Sequence, residues 1–146
     1  MKVGISNDHR GYKLKKEILE YLHEAGYSCI DYGTNDENSV DYVDYAVKLC
    51  KGILNKEIDR GILICGTGIG MSIAANKIKG IRCARVVNQK EACLAGEHNM
   101  ANVIALGEDT KGADIVVSSF LNSKYSKDER HIRRINKINS IEKEGI

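Results

Sequence analysis

Residues 61–70, GILICGTGIG, constrain this chain more than any other segment. The first half is apolar without alternation, which suits a strand covered on both faces at the centre of a parallel sheet. The second half places glycine at 66, 68 and 70, so the backbone can turn sharply and approach a ligand closely. A central parallel strand requires neighbours joined by helical crossovers, so the flanking sequence should alternate short apolar runs with longer amphipathic ones.

It does. Strands are expected at 2–6, 28–32, 61–64, 82–87 and 102–106. A helix is expected at 10–25, where Leu14, Ile18, Leu22 and Ala25 recur at helical spacing and Gly26 offers a stop. Tyr42, Tyr45, Ala46, Leu49, Cys50 and Ile53 mark a second helix, and others are expected at 71–78, 88–96 and 113–121. There is no proline, no fixed repeat and no linker, so residues 1–146 are read as one α/β domain with a five-stranded parallel sheet. In the tail, Ile132, Ile135, Ile138 and Ile141 recur every three residues and make a broad apolar face. This helical tail is expected to pack at a subunit interface, with the chain's own domain as the alternative cover.

Charge narrows the function. Lys plus Arg is 22 and Asp plus Glu is 20, a formal +2, without the basic excess that phosphate-backbone binding needs, so nucleic acid is not expected as a partner. No apolar run suits a signal peptide or a membrane span, so a cytoplasmic location with no membrane partner is the expectation. The five cysteines contain no CxxC pair, which fits reduced thiols better than disulfides or a zinc site. No metal site is expected.

In open α/β sheets ligands bind beyond the C-terminal strand ends. Two segments fall there, Asn7-Asp8-His9 after the first strand and Cys65-Gly66-Thr67-Gly68-Ile69-Gly70 after the central one. The loop is neither GxGxxG nor a P-loop, so its spacing points to a small anion held by backbone amides, against the competing reading of a plain strand-to-helix turn. Cys65 is either a nucleophilic or basic thiol near a helix start, or a buried space-filler. The other cysteines, 29, 50, 83 and 93, are expected to be core residues. His23 reads as a surface group, whereas His98, at a helix end, is either a proton-transfer residue or a group favoured there by the helix dipole. Arg130, His131, Arg133 and Arg134 form a basic cluster that is either a solvated face or a phosphate grip.

Asp8-His9, Gly33-Thr34, Asp41-Tyr42 with Tyr45-Ala46, Cys65 to Gly70, Asn76-Lys77, His98-Asn99 and Arg130-His131 occur in an order and spacing that resemble the type B ribose-5-phosphate isomerases along essentially the whole chain. That family also holds allose-6-phosphate isomerases and galactose-6-phosphate isomerase subunits. The resemblance implies a Rossmann-like αβα sandwich and an aldose-ketose isomerase that needs no metal or other cofactor. It also implies a homodimer, or a dimer of dimers, whose sugar-phosphate sites lie between subunits. In it Cys65 would be the base that moves a proton between C1 and C2, Thr67 would support the thiol, and His98 would open the sugar ring. The amides of Gly66, Thr67, Gly68, Ile69 and Gly70, with Asn99, would hold the enediolate oxygens. Asp8 and His9 would contact ring hydroxyls or phosphate, and Arg130 and Arg134 the phosphate.

Two positions depart from the family pattern. Val43 stands where proline is usual, at a helix start. Asp109, after Gly107-Glu108, stands where a phosphate-binding arginine is common, and a carboxylate cannot make that contact. Lys111 is one candidate replacement; a different phosphosugar is the other explanation. Outside the isomerase reading, a non-catalytic phosphosugar-binding module could use the same glycine loop.

Overall fold

The protein is described from a computed structural model covering residues 1–146. Five strands, β1 (Lys2–Asn7), β2 (Ser28–Asp31), β3 (Arg60–Cys65), β4 (Cys83–Arg85) and β5 (Val103–Gly107), form one all-parallel sheet in the order β2-β1-β3-β5-β4. The unbroken apolar run at 61–64 is the central strand, and all six of its residues are buried. Helices α1 (Tyr12–Glu24), α2 (Tyr42–Leu54), α3 (Ile69–Asn76), α4 (Gln89–Asn99), α5 (Ala113–Asn122) and α6 (Glu129–Glu144) complete the chain. The sequence overstates β4, expected at 82–87, because this edge strand pairs with β5 alone through Cys83, Ala84 and Arg85.

Alternation along the strands sorts the core into two layers. Ile5, Ile62, Ile64, Ile104 and Leu106 pack with α1, α4 and α5. Leu63, Cys65, Val103 and Ala105 pack with α2 and α3. Fully burying each such Leu or Ile contributes roughly 1.5–3 kcal/mol. Gly26 ends the α1 segment at φ +81°, the left-handed conformation its composition suits.

Two buried cations fasten distant segments. Lys15, 1% exposed, donates from Nζ to the Thr34 carbonyl and pairs with Asp31, which ties α1 to the segment after β2. Arg60, at the start of β3, donates to the Phe120 carbonyl and to Ser123 Oγ and carbonyl, which fixes the end of α5. A buried charge without such partners would be costly, so these contacts set the path of the chain. The Ser126 amide then donates to the Glu97 carbonyl at 2.8 Å and starts α6 beside the end of α4.

The isoleucine stripe divides. Ile135 is 3% exposed, whereas Ile132, Ile138 and Ile141 remain 37%, 41% and 54% exposed. Of the cysteines expected in the core, Cys50 is buried and Cys29, Cys83 and Cys93 are half-buried. Burial pushes the Cys29 and Cys50 thiols up to about 11, away from reactivity. No helix is long and apolar enough to cross a membrane.

Candidate active site

At the C-terminal edge of the sheet, β1 and β3 deliver the two loops singled out in the sequence. Asp8, 5% exposed, accepts from the amides of Arg10 and Gly11 at 2.9 and 3.1 Å and so caps the short 3-10 turn His9–Gly11 that leads into α1. Next to it, His9 Nδ1 accepts from the Val40 amide at 3.2 Å. The neutral ring therefore carries its proton on Nε2, which is left as a donor.

Cys65 is 4% exposed, and its Sγ accepts from the Gly68 amide at 3.2 Å. Gly68 has φ +78° and caps α3, and a Cβ there would lie 3.0 Å from the Leu106 carbonyl carbon. Only glycine meets both conditions without strain. Thr67 lies between Cys65 and Gly68 in the same loop. Its Oγ1 accepts from the Ile69 amide at 3.2 Å, closing the first turn of α3, and its carbonyl accepts from Arg85 Nε at 2.9 Å. Tyr42 closes the other side of the loop, with its ring 2.7 Å from where a Cβ on Gly70 would stand.

His98 and Asn99 lie elsewhere. They end α4, and Met100 at φ +47° turns the chain toward the entry of β5. The Arg82 guanidinium donates to the Asn99 and Met100 carbonyls and holds that turn. Cys65 pairs in register with Gly107, at the exit of β5. Four residue steps of strand therefore separate the entry of β5 from the level of Cys65, about 13 Å at ~3.3 Å per residue, with His98 and Asn99 beyond. Within one chain these residues stand at opposite edges of the sheet.

A second group forms around His98. Its ring stacks on that of His131, centroids 4.1 Å apart. Arg130 and Arg134 are exposed on the same helix, and Arg130 Nη2 reaches Asp128 at 3.3 Å. The twelve expected site residues thus fall into two clusters: Asp8, His9 and Cys65 to Gly70 at one edge, and His98, Asn99, Arg130 and Arg134 at the other. His23 is exposed, as expected. No three His, Cys, Asp or Glu side chains are grouped as a metal site would require.

One group at the first edge has no counterpart among the expected residues. Arg10 donates from Nε and Nη2 to the two carboxylate oxygens of Glu108, at 3.0 and 2.5 Å, across 98 residues of sequence. This pair holds the Arg10 pKa above, and the Glu108 pKa below, their ordinary values. A charged residue in a polar segment carries no sequence signal of such a role. Asp109 is exposed and, with Lys111, lines a cavity of about 370 Å³ against Gly66, Thr67 and Arg85.

Comparison with known proteins covers essentially the whole chain. A family described as Ribose/Galactose Isomerase matches residues 3–138. The chain is 42% identical to a putative sugar phosphate isomerase of Bacillus subtilis, with 100% of both chains covered. It is 40% identical to ribose-5-phosphate isomerase B of Escherichia coli, covering 97% of this chain and 96% of that one. Among solved structures, ribose-5-phosphate isomerase B of Clostridium thermocellum superimposes with a TM-score of 0.93 at 47% identity, covering 98% of each chain. That of Mycoplasma genitalium with bound ribulose-5-phosphate gives 0.90 at 40% identity, covering 98% and 97%.

Proposed function

The chain belongs to the ribose/galactose isomerase family, and we propose that it is a single sugar-phosphate isomerase domain that interconverts ribose 5-phosphate and ribulose 5-phosphate through an enediolate. The observation that carries this reading is the seat of Cys65, with its sulfur tethered by the Gly68 amide beside Asp8 and His9 at the β1/β3 crevice. A base for a proton next to a carbonyl must be close to it, while fixed donors take up the charge that develops on oxygen.

The thiolate of Cys65 takes the proton from C2 of the open-chain aldose, and the electron pair moves toward C1 and its oxygen. The proton on the C2 oxygen leaves as that oxygen becomes the ketone carbonyl. The C1 oxygen gains a proton, and the thiol returns its own to C1. The reaction is an internal redox exchange and needs no external electron acceptor. Two loop amides are already engaged, Gly68 on sulfur and Ile69 on Thr67 Oγ1, so Gly66, Thr67 and Gly70 are the donors assigned to the enediolate.

His98 opens the ring by giving a proton to the ring oxygen while the anomeric hydroxyl loses one. Its place at the opposite sheet edge supports a homodimer in which one chain gives Asp8, His9 and the Cys65 loop, and its partner gives His98, Asn99, Arg130 and Arg134. A two-fold axis makes two equal sites of this kind, whether the assembly stops at two chains or pairs into four. Phosphate binding remote from the reacting carbons then serves orientation.

Asp109 supports a second reading within the same family, with allose 6-phosphate or galactose 6-phosphate as the preferred substrate. Assay of the purified protein on the three aldose phosphates, with and without a chelator, tests reaction, substrate and metal independence together. Isomerisation of ribose 5-phosphate that survives the chelator is expected. No turnover of any of the three would leave the binding-module reading in its place.

A further inference from the structure

We infer that Arg10 is a phosphate-binding, specificity-determining residue of this chain, and that the Glu108 carboxylate occupies its guanidinium when the site is empty. The inference rests on the sugar-phosphate reading and adds to it a residue that the family resemblance does not supply.

Three features of the geometry support it. Arg10 follows His9 directly, and its amide is pinned to Asp8 Oδ1, so its Cα is fixed at the rim of the β1/β3 crevice. Its guanidinium lies along the glycine loop, with Cζ 3.5 Å from where a Cβ on Gly66 would stand. A Cβ at 66 would meet this side chain at ordinary van der Waals contact, so the guanidinium packs on the loop backbone. Finally, its Nε and Nη2 meet two oxygens of one carboxylate, the two-toothed geometry that arginine offers equally to a phosphate.

The pair also has features unlike those of a structural tie. Arg10's side chain is 58% exposed, and an ion pair so open to water adds little to stability. The β5 exit is fastened to the loop without it, because the Glu108 amide donates to the Gly66 carbonyl at 3.2 Å. No hydrogen bond within the chain uses Arg10 Nη1. The other guanidinium touching the loop, Arg85, is committed through Nε to the Thr67 carbonyl on the β4 side. Arg10 thus offers positive charge on the Asp8 and His9 side of the rim, where Asp109 offers none.

A receptor and a tie differ in sign. If Glu108 holds the place of the substrate's phosphate, removing Arg10 weakens anion binding while neutralising Glu108 strengthens it. If the pair only joins two loops, both changes act in the same direction or not at all. The test uses the full-length protein and its Arg10→Ala, Arg10→Lys and Glu108→Gln variants. It measures the Kd of inorganic phosphate by calorimetry at constant ionic strength, and kcat and KM for ribose 5-phosphate. Arg10→Ala should raise both the phosphate Kd and KM about tenfold or more, the loss of a charge-assisted contact, with kcat changed less than about threefold. Arg10→Lys should fall between, because a point charge replaces a fork. Glu108→Gln should lower the phosphate Kd.

An unchanged Kd in Arg10→Ala, shifts of the same sign in Arg10→Ala and Glu108→Gln, or no phosphate binding by the unmodified protein would overturn the inference. Shifts of opposite sign in a protein that isomerises none of the sugar phosphates would leave Arg10 as an anion receptor and remove the isomerase reading instead.

Discussion

The imidazole rings of His98 and His131 lie parallel, their centroids 4.1 Å apart and their planes 10° from one another. His131 is 8% exposed, and burial first, then the charges of His98 and Arg130, hold its pKa below the ordinary histidine value. Asp128 acts in the opposite sense, and Arg134 adds to the lowering. The charged form of His131 is therefore disfavoured in the stack.

A consequence is acid sensitivity. The unfolded chain protonates His131 near pH 6.5 while the folded chain resists, so between that value and the lower folded one the unfolded state binds more protons. This part of the stability is complete above about pH 6.5 and is lost as pH falls below it. Melting temperatures measured across this range should fall for the unmodified protein and less steeply for His131→Phe, which keeps a ring against His98. Identical slopes would show that the stack carries no titration penalty.

Cys65→Ser should keep the fold and ligand binding and lose most of the rate. A serine hydroxyl stays protonated where a thiol can ionise, and loss of a positioned base typically costs about 10²–10⁴ in turnover. Steady-state kinetics beside a circular dichroism spectrum check it; near-normal turnover would remove Cys65 from the base role.

The separation of Cys65 and His98 across the sheet predicts complementation. Cys65→Ala chains mixed with His98→Asn chains, each nearly inactive alone, should recover about a quarter of the unmodified activity after random exchange. About half the dimers are then mixed, and each has one intact site of two. Verified exchange without recovery would place both residues in a site made by one chain.

Gly68→Ala should destabilise the protein by about 1–2 kcal/mol through the left-handed backbone alone, and more through the contact with Leu106. Because the Gly68 amide holds the Cys65 sulfur, kcat should fall more than KM changes. Gly26→Ala is the control, since its φ is +81° with nothing within 4 Å of an added Cβ. Urea unfolding should show strain in both variants, whereas only Gly68→Ala should lose turnover; equal kinetics in the two would separate the loop's conformation from catalysis.

The sequence by itself determined the strands and helices in their order, the central place of β3, the helix stop at Gly26 and the turn at Cys65 to Gly70. Each of these depends on local chemistry: the period of apolar residues, or a backbone conformation that glycine adopts freely. The family motifs likewise named the residues of both clusters. Tertiary structure alone decided that the clusters stand at opposite sheet edges, since that follows from strand direction and from where α4 enters β5. It also decided that Thr67 Oγ1 meets the Ile69 amide, that Arg60 and Ser126 bring His131 onto His98, and that Arg10 meets Glu108. Those contacts join residues far apart in sequence, and whether they meet depends on strand order and layer packing, which no local pattern encodes.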